Sequence, residues 1–304
     1  MVVRDDVAAA LVTGAPVVAL ESTVIAHGLP RPHNLDTALE MEAAVREAGA
    51  LPATIGIVDG KIVVGLSAEQ IGRIADSADV AKVSSADFAA VLASGRLGAT
   101  TVAGTAYAAA RAGIRVMATG GIGGAHRGSE NTFDISADLT EIARTPVAVV
   151  CAGAKAILDL PRTVEVLETL GIPLVGYGTG EFPAFYSRES GLNLQHRVDS
   201  AEAAGKLMGV HWALGANGGI LFVNPPPAEV AMGREEVEGL VNAALVAAEA
   251  AGIRGKGVTP FLLGQLAEKS GGRTLKANIA LLKANARLAG EIAAAYCARK
   301  EGRR

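Results

Sequence analysis

The sequence predicts an α/β protein with a three-layer α/β/α architecture and a mostly parallel central sheet. Short apolar runs alternate with longer segments rich in Ala, Leu and Glu, which is the pattern of repeated strand–helix units. Half of the 304 residues are hydrophobic, only 4% are aromatic and 37 are glycine. A core of small aliphatic residues is typical of a compact α/β enzyme rather than a β-sandwich. No linker-like segment divides the chain, so we expect residues 1–304 to form a single domain.

The strands of the parallel sheet are expected at the apolar runs that end in polar residues or glycine. These runs are Val17–Leu20, Thr54–Val58, Val80–Val83, Ile114–Thr119, Val147–Cys151, Leu174–Tyr177 and Ile220–Val223. A further run, Ile62–Gly65, follows Thr54–Val58 across Asp59-Gly60, a dipeptide typical of a tight hairpin. We therefore expect one antiparallel ribbon beside the parallel strands.

Helical patterns fill most of the segments between these runs. They cover Asn34–Ala48, Ser84–Ser94, Gly104–Ala112, Leu160–Leu170, Ser200–Leu214, Glu229–Ala251, Thr259–Lys269 and Leu275–Ala298. The last of them follow one another without an intervening strand. The C-terminal third is therefore expected to be helical and to pack on the sheet.

Charge and composition argue against several classes of function. The chain has 28 Lys and Arg against 31 Asp and Glu, and no basic block, which argues against nucleic acid as a partner. Cys151 and Cys297 are too few for a disulfide framework, and neither has a second cysteine at metal-binding spacing. No apolar stretch approaches the ~20 residues of a membrane helix, and the N-terminus lacks signal-peptide features. We expect a soluble, cytoplasmic protein without a membrane partner.

Charged residues at the ends of predicted strands are the candidates for catalysis, because ligands of open parallel sheets bind at the carboxyl ends of strands. Glu21 ends the first run, where burial would raise its pKa and suit it to general acid catalysis. A capping role or a pairing with Arg31 is the structural alternative. Lys155 ends another apolar run and is expected near Lys82, where loss of water favours a neutral, nucleophilic amine. A surface lysine with a buried stem is the alternative.

For two further segments a ligand-binding role and a structural role remain open. The glycine-rich residues 119–124, TGGIGG, offer N–H groups to an anion but lack the spacing of a dinucleotide-binding motif. A tight turn in which glycine supplies a positive φ explains them equally well. Asp134 and Asp138, with Ser136 between them, are spaced as ligands of a hard cation could be. A helix N-cap at Ser136 or Asp138 is the alternative.

Several long strings resemble the pseudouridine-5′-phosphate glycosidase family. They are ALESTVIAHGLPRPHN, PATIGIVDGKIVVGL, KVSSADF, GATTVAGTAYAA, MATGGIGGAHRG, the segment from FDISADLTEIAR to LGIPLVGY, and NPPP. The resemblance runs from about Leu20 to Asn285 and is least distinctive between about Ser187 and Trp212. It implies a C-glycosidase that reversibly cleaves the C–C glycosidic bond of pseudouridine 5′-phosphate, giving uracil and ribose 5-phosphate. It also implies an α/β/α fold, a homotrimer and one divalent cation per subunit, Mn²⁺.

The same resemblance assigns roles to individual residues. Glu21 corresponds to the proton donor, Lys155 to a nucleophile that forms a Schiff-base-type adduct with ribose, and Asp134 to the metal ligand. Substrate contacts are implied at Lys82, Val102, His126, Ser136, Ala137, Asp138 and Asn278. Another Schiff-base sugar-phosphate lyase or aldolase would share Lys155 without selecting uracil. A non-catalytic nucleotide-sensing protein is the second alternative, against which the presence of both Glu21 and Lys155 argues.

Overall fold

The computed structural model describes residues 1–253 and 257–301, and a mostly parallel sheet of eleven strands forms the centre of this part of the chain. The strands are β1 (Val2–Val3), β2 (Val17–Leu20), β3 (Leu51–Val58), β4 (Lys61–Val64), β5 (Ala81–Val83), β6 (Gly98–Thr100), β7 (Val116–Ala118), β8 (Ala148–Cys151), β9 (Leu174–Tyr177), β10 (His196–Val198) and β11 (Ile220–Val223).

The parallel part of the sheet has the strand order β3-β2-β7-β8-β11-β9-β10. Strands β2, β7, β8 and β11 are buried along their whole length. Strands covered on both faces are continuously apolar, which explains why these runs were visible in the sequence. The prediction of a mostly parallel sheet is confirmed.

The antiparallel part of the sheet is built on β3. Strands β3 and β4 form the predicted hairpin, with Ile57 opposite Ile62. Asp59 and Gly60 have φ values of 51° and 68°, as a tight two-residue turn requires. Strand β6 also pairs antiparallel with β3, and β5 runs parallel to β6 at the side of this ribbon. The antiparallel region is therefore larger than the predicted hairpin.

Helices cover both faces of the sheet. They are α1 (Asp5–Thr13), α2 (His33–Glu47), α3 (Ala68–Asp76), α4 (Phe88–Ser94), α5 (Val102–Ala112), α6 (Ser129–Thr132), α7 (Ala137–Arg144), α8 (Leu160–Thr169), α9 (Ala201–Ala213), α10 (Arg234–Ala250), α11 (Val258–Lys269) and α12 (Arg273–Glu301). Helix α12 packs on β2, β7 and β8 and against α2 and α9, whereas α5 packs on the sheet together with α7. The three-layer α/β/α architecture is confirmed.

The structure also contains short elements that the sequence analysis did not predict: β1, β6, β10, α1, α3, α6 and a π-helical turn at Val24–Gly28. Helix α3 begins with a capping box in which Ser67 and Gln70 bond to each other's backbone N–H. The helix predicted from Ser84 begins only at Phe88, because the Asp87 carboxylate accepts the Ser84 N–H and holds a turn there. No helix within the described ranges is both long and apolar enough to cross a membrane.

Candidate active site

The predicted catalytic residues line one cleft at the carboxyl ends of the central strands. Glu21 directly follows β2, residues 119–121 directly follow β7, and Lys155 lies in the loop after β8. The cleft has a volume of about 470 Å³, counting space open to solvent. Its walls are Glu21, Thr23, Val24, His27, Gly28, Lys82, Gly120, Gly121, Lys155, Phe185, Thr259, Pro260, Leu263, Asn278 and Leu282. The structure thus brings Glu21, Lys82, Lys155 and Asn278 together from distant parts of the chain.

Glu21 is a buried carboxyl group whose side chain is held by one neighbour. The residue is 7% exposed, and the Thr119 hydroxyl donates a hydrogen bond to Glu21 Oε1. Burial raises the pKa of Glu21, and this effect outweighs the opposing charges of Lys155 and Lys82 and the bond from Thr119. The nearby carboxylate of Asp138 raises the pKa further. Glu21 is therefore suited to keep its proton to a higher pH than an exposed glutamate does and to release it inside the cleft.

Lys155 is positioned by the backbone of its loop. Its N–H donates to the Ile122 carbonyl at 3.1 Å, and the Ile122 N–H donates to Gly153 at 3.0 Å. The half-buried side chain lies near enough to Glu21 for its charge to act on that carboxyl group. The lysine therefore shares the cleft with the acid, as two groups acting on one substrate must.

The glycines at 120–124 serve close packing rather than an unusual backbone conformation. A Cβ atom on Gly121 would lie 2.6 Å from the Phe185 ring, and one on Gly123 would lie 2.2 Å from Ser136 Oγ. A Cβ atom on Gly124 would likewise lie 2.3 Å from Thr163 Oγ1. None of these glycines has a positive φ, so of the two alternatives left open for this segment the positive-φ turn was wrong. The loop is instead pressed between neighbouring segments, with Gly120 and Gly121 facing the cleft.

Asp138 links three segments beside the cleft. Its Oδ1 accepts the Ala103 N–H and its Oδ2 accepts the Gly123 N–H, both at 2.8 Å. Its own N–H donates to Ser136 Oγ, so Ser136 is the N-cap of α7. The N-cap interpretation of Ser136 is confirmed. Each oxygen of Asp138 accepts a backbone N–H, so this carboxylate has a structural role, and its spacing-based pairing with Asp134 around a cation stays a hypothesis.

The Asp138 carboxylate, which we call the clamp, lies where the N-termini of α5 and α7 come together. In the first turn of α5, the Ala103 N–H bonds to Asp138 and the Gly104 N–H bonds to Thr101. The Val102 N–H has no acceptor among the described residues, and neither has the Ala137 N–H at the start of α7. Free N–H groups at helix N-termini attract anions. Val102 and Ala137, both implied by the resemblance as substrate contacts, therefore form a candidate anion site.

Asp134 and His126 lie on adjoining backbone segments. The His126 N–H donates to the Asp134 carbonyl at 3.0 Å, next to a bridge between Ala125 and Ile135. Burial lowers the pKa of His126, with Lys155 and Lys82 acting in the same direction and Asp134 opposing. The Asp134 side chain is exposed, and the described residues contain no group of three or more His, Cys, Asp or Glu that could hold a metal ion. An exposed, hydrogen-bond-free carboxylate fits a hydrated cation held by one protein ligand.

Several residues of the site were missed from the sequence. Asn285 of α12 donates to the Thr119 carbonyl at 2.9 Å and accepts a hydrogen bond from Asn224 at 3.0 Å, so it supports the loop that holds Glu21. Thr119 was noted only as part of a glycine-rich segment. A signal for Asn285 did exist, because apolar residues lie three and four positions away on both sides, which places this polar residue on the apolar face of the helix, where it is buried.

Comparison with known proteins gives the family of this chain. The family described as "Indigoidine synthase A like protein" matches residues 6–295. The chain belongs to this family. A protein of Caldanaerobacter subterraneus subsp. tengcongensis named "Pseudouridine-5′-phosphate glycosidase" is 53% identical over 95% of this chain and 94% of its own length. A protein of Methylobacterium nodulans with the same name is 55% identical over 95% of this chain and 86% of its own length. The resemblance to the pseudouridine-5′-phosphate glycosidases is confirmed.

Two solved structures of similar proteins share the fold. The prealnumycin C-glycosynthase AlnA, solved in complex with ribulose 5-phosphate, superposes with a TM-score of 0.91, 43% identity and 99% coverage of both chains. An indigoidine synthase A-like protein from Thermotoga maritima superposes with a TM-score of 0.88, 40% identity and 97% and 96% coverage. One of these two similar proteins is thus named as a C-glycosynthase and was solved with a sugar phosphate.

Proposed function

We propose that this chain is a C-glycosidase that reversibly cleaves pseudouridine 5′-phosphate to uracil and ribose 5-phosphate. The observation that carries the proposal is a buried acid, Glu21, in the same cleft as Lys155 and Lys82. The name shared by relatives at about 50% identity supports this substrate, and the sugar phosphate in the AlnA structure supports its phosphate-bearing part.

The chemistry requires more than a pair of carboxylates. Ordinary glycosidases expel an oxygen or nitrogen, whereas here the leaving atom is carbon 5 of uracil. A neutral Lys155 amine attacks C1′, the C1′–O4′ bond breaks, and O4′ takes up a proton. The lysine nitrogen, now bonded to C1′, can then push its electron pair toward that carbon. Covalent catalysis of this kind divides one difficult step into easier ones.

Glu21 supplies the proton that lets the base depart. Protonation of uracil C5 by Glu21 and formation of the C1′=N bond break the C1′–C5 bond and return its electron pair to the base. Water then hydrolyses the imine, which releases the sugar phosphate and restores the amine. A protonated carboxyl at the end of a buried strand is suited to this step, because a general acid works best when its pKa lies near the working pH.

The phosphate is proposed to bind where α5 and α7 begin. The Val102 and Ala137 N–H groups and the positive ends of both helices favour a dianion there. Asp138 links the start of α5 to the glycine-rich loop, and its charge acts on Glu21, which supports an anion site close to the acid. Ser136 contributes by capping α7, while Lys82, His126 and Asn278 are proposed to contact the rest of the substrate.

A divalent cation, Mn²⁺ by resemblance, is proposed at Asp134. With one carboxylate from the protein, such an ion would keep most of its water shell. When bound, it supplies positive charge that orients water and the anionic part of the substrate. The homotrimer and the cytoplasmic location remain proposals of the same kind, and sedimentation of the purified protein tests the first of them.

Uracil release from pseudouridine 5′-phosphate, followed by chromatography with and without EDTA, tests this function. We expect uracil and ribose 5-phosphate in equal amounts, and a strong decrease after chelation. A sugar-phosphate aldolase or other Schiff-base lyase would give a borohydride-trapped lysine adduct with its own substrate but no uracil. A nucleotide-sensing protein would bind pseudouridine 5′-phosphate without turnover.

A further inference from the structure

His27 is a polar residue of the cleft that the proposed chemistry does not use. It lies in the π-helical turn Val24–Gly28, shortly after Glu21, and π-helical turns are frequent at functional sites. The residue lines the cleft and also a second cavity next to it. The two cavities share His27, Gly28, Pro260, Leu263 and Asn278. His27 therefore lies where the two cavities join.

The imidazole has one ring nitrogen without a partner. Among the residues that the structure describes, three buried side-chain atoms lack a hydrogen-bond partner, and His27 Nε2 is the one whose residue lines the cleft. The ring's hydrogen bond to the Val80 backbone therefore belongs to Nδ1. Leaving a buried acceptor unpaired destabilises the empty cleft. A ligand that brings a donor to Nε2 would remove this cost.

The protonation state makes Nε2 an acceptor. Burial lowers the pKa of His27, and the nearby charge of Lys82 lowers it further, so the ring is neutral at pH 7. With the hydrogen on Nδ1 and directed to the Val80 carbonyl, Nε2 carries a free lone pair. Because Nε2 is shielded from water, a hydrogen bond formed there is stronger than one at the surface.

Asn278 indicates which kind of donor fits. It is 7% exposed, lines both cavities, and its amide makes no hydrogen bond to the described protein residues. An amide beside a bare acceptor matches a planar ring in which N–H groups alternate with carbonyl groups, as in uracil. Uracil linked to ribose through carbon keeps both ring N–H groups, whereas uracil linked through N1 keeps only N3–H. An acceptor that meets N1–H would therefore separate C-nucleotides from N-nucleotides, and one that meets N3–H would select a pyrimidine dione of either kind.

We propose that His27 is a specificity-determining residue whose Nε2 accepts a hydrogen bond from a ring N–H of the uracil base. The proposal rests on the function proposed above, since it concerns the base part of the same substrate. It assigns the recognition of the base to His27 and Asn278, and leaves bond cleavage to Glu21 and Lys155.

Substrate analogues with matched variants test the proposal. Pseudouridine 5′-phosphate and its N1-methyl and N3-methyl derivatives are compared in wild type, His27→Leu and His27→Gln. In wild type, one of the two methyl groups should lower kcat/KM by about tenfold or more. His27→Leu should lose about tenfold on the parent compound and treat the parent and that derivative alike. His27→Gln keeps an acceptor and should recover most of the activity and the discrimination.

The control is His33→Leu, because His33 is exposed at the start of α2 and lies outside the cleft walls. It should behave as wild type toward all three compounds. The proposal is overturned if wild type accepts both methylated compounds as well as the parent, or if His27→Leu discriminates as wild type does.

A second measurement needs neither a variant nor turnover. The ¹⁵N resonance of His27 Nε2 is followed in wild type as uracil is added, with ribose 5-phosphate as the comparison. A shift with uracil alone supports the proposal, and no shift at millimolar uracil overturns it. If wild type releases no uracil from pseudouridine 5′-phosphate, the proposed function fails, and this titration still decides whether His27 binds a pyrimidine dione.

Discussion

Asp138→Ala should destabilise the protein and disturb the anion site together, because one carboxylate holds both. The side chain is buried and accepts the Ala103 and Gly123 N–H groups at 2.8 Å each. Hydrogen bonds to a charged group contribute about 1.5–3 kcal/mol, so losing two should lower the free energy of unfolding by about 3–6 kcal/mol. For a chain of this length the unfolding entropy is about 0.6 kcal/mol/K, which converts the loss to about 5–10 °C in Tm.

The assay is thermal unfolding together with uracil release per folded molecule on the same preparation. Ser136→Ala is the matched control, because it removes only the cap of α7 and should cost about 1 kcal/mol, or less than 2 °C. Asp138→Asn keeps one acceptor but turns an amide N–H toward a backbone N–H. Its Tm should therefore lie between those of Asp138→Ala and Ser136→Ala. A Tm of Asp138→Ala within about 2 °C of wild type would refute the clamp. Activity lost without destabilisation would instead make Asp138 a direct substrate contact.

Lys155→Ala should abolish uracil release with little change in Tm, and more than about a tenth of wild-type kcat, or 1.4 kcal/mol of barrier, would contradict a covalent role. Glu21→Ala should accumulate a sugar–lysine adduct, detectable by mass, without releasing uracil; a variant that neither binds substrate nor forms the adduct would show that Glu21 is structural. Thr119→Val removes the donor that stabilises the Glu21 carboxylate, so the pKa of Glu21 should rise and the alkaline limb of kcat/KM should move to higher pH. Thr119→Ser should return the alkaline limb to its wild-type pH. An alkaline limb of Thr119→Val that stays in place or moves to lower pH argues against Glu21 as the acid. Asp134→Ala should lose activity that excess Mn²⁺ restores poorly, at unchanged Tm; a lower Tm with normal activity per folded molecule would point to a loop anchor.

The parallel sheet was predictable because its central strands are buried on both faces. Such strands must be apolar throughout, so Val17–Leu20 and Ile220–Val223 stood out with their observed boundaries. The hairpin at Asp59-Gly60 was predictable for a local reason as well, since the turn needs two positive φ values. In both cases the physical cause acts within a few residues along the chain.

What the sequence did not predict depends on contacts between distant segments. The glycine-rich loop has ordinary φ values, and its glycines are required by Phe185, Ser136 and Thr163, which no local pattern connects with it. The end of the sheet at which the site lies was predictable from Glu21 and Lys155, because both follow apolar runs and so mark the carboxyl ends of strands. Asn285 of α12 bonds to the Thr119 carbonyl at that end of the sheet, and a helix pattern alone cannot say which strand a polar residue faces.

The charges around Glu21 act on its pKa in opposite directions. A proton donor beside two lysines should lose its proton, because Lys155 and Lys82 both favour the carboxylate form of Glu21. Burial outweighs them, and Asp138 adds a negative charge that acts in the same direction as burial. A substrate phosphate at the starts of α5 and α7 would bring further negative charge close to Asp138, and like charge raises a carboxyl pKa. Binding of the proposed substrate should therefore raise the pKa of Glu21 further, so that the alkaline limb of activity lies at higher pH in the complex than the empty cleft alone would give.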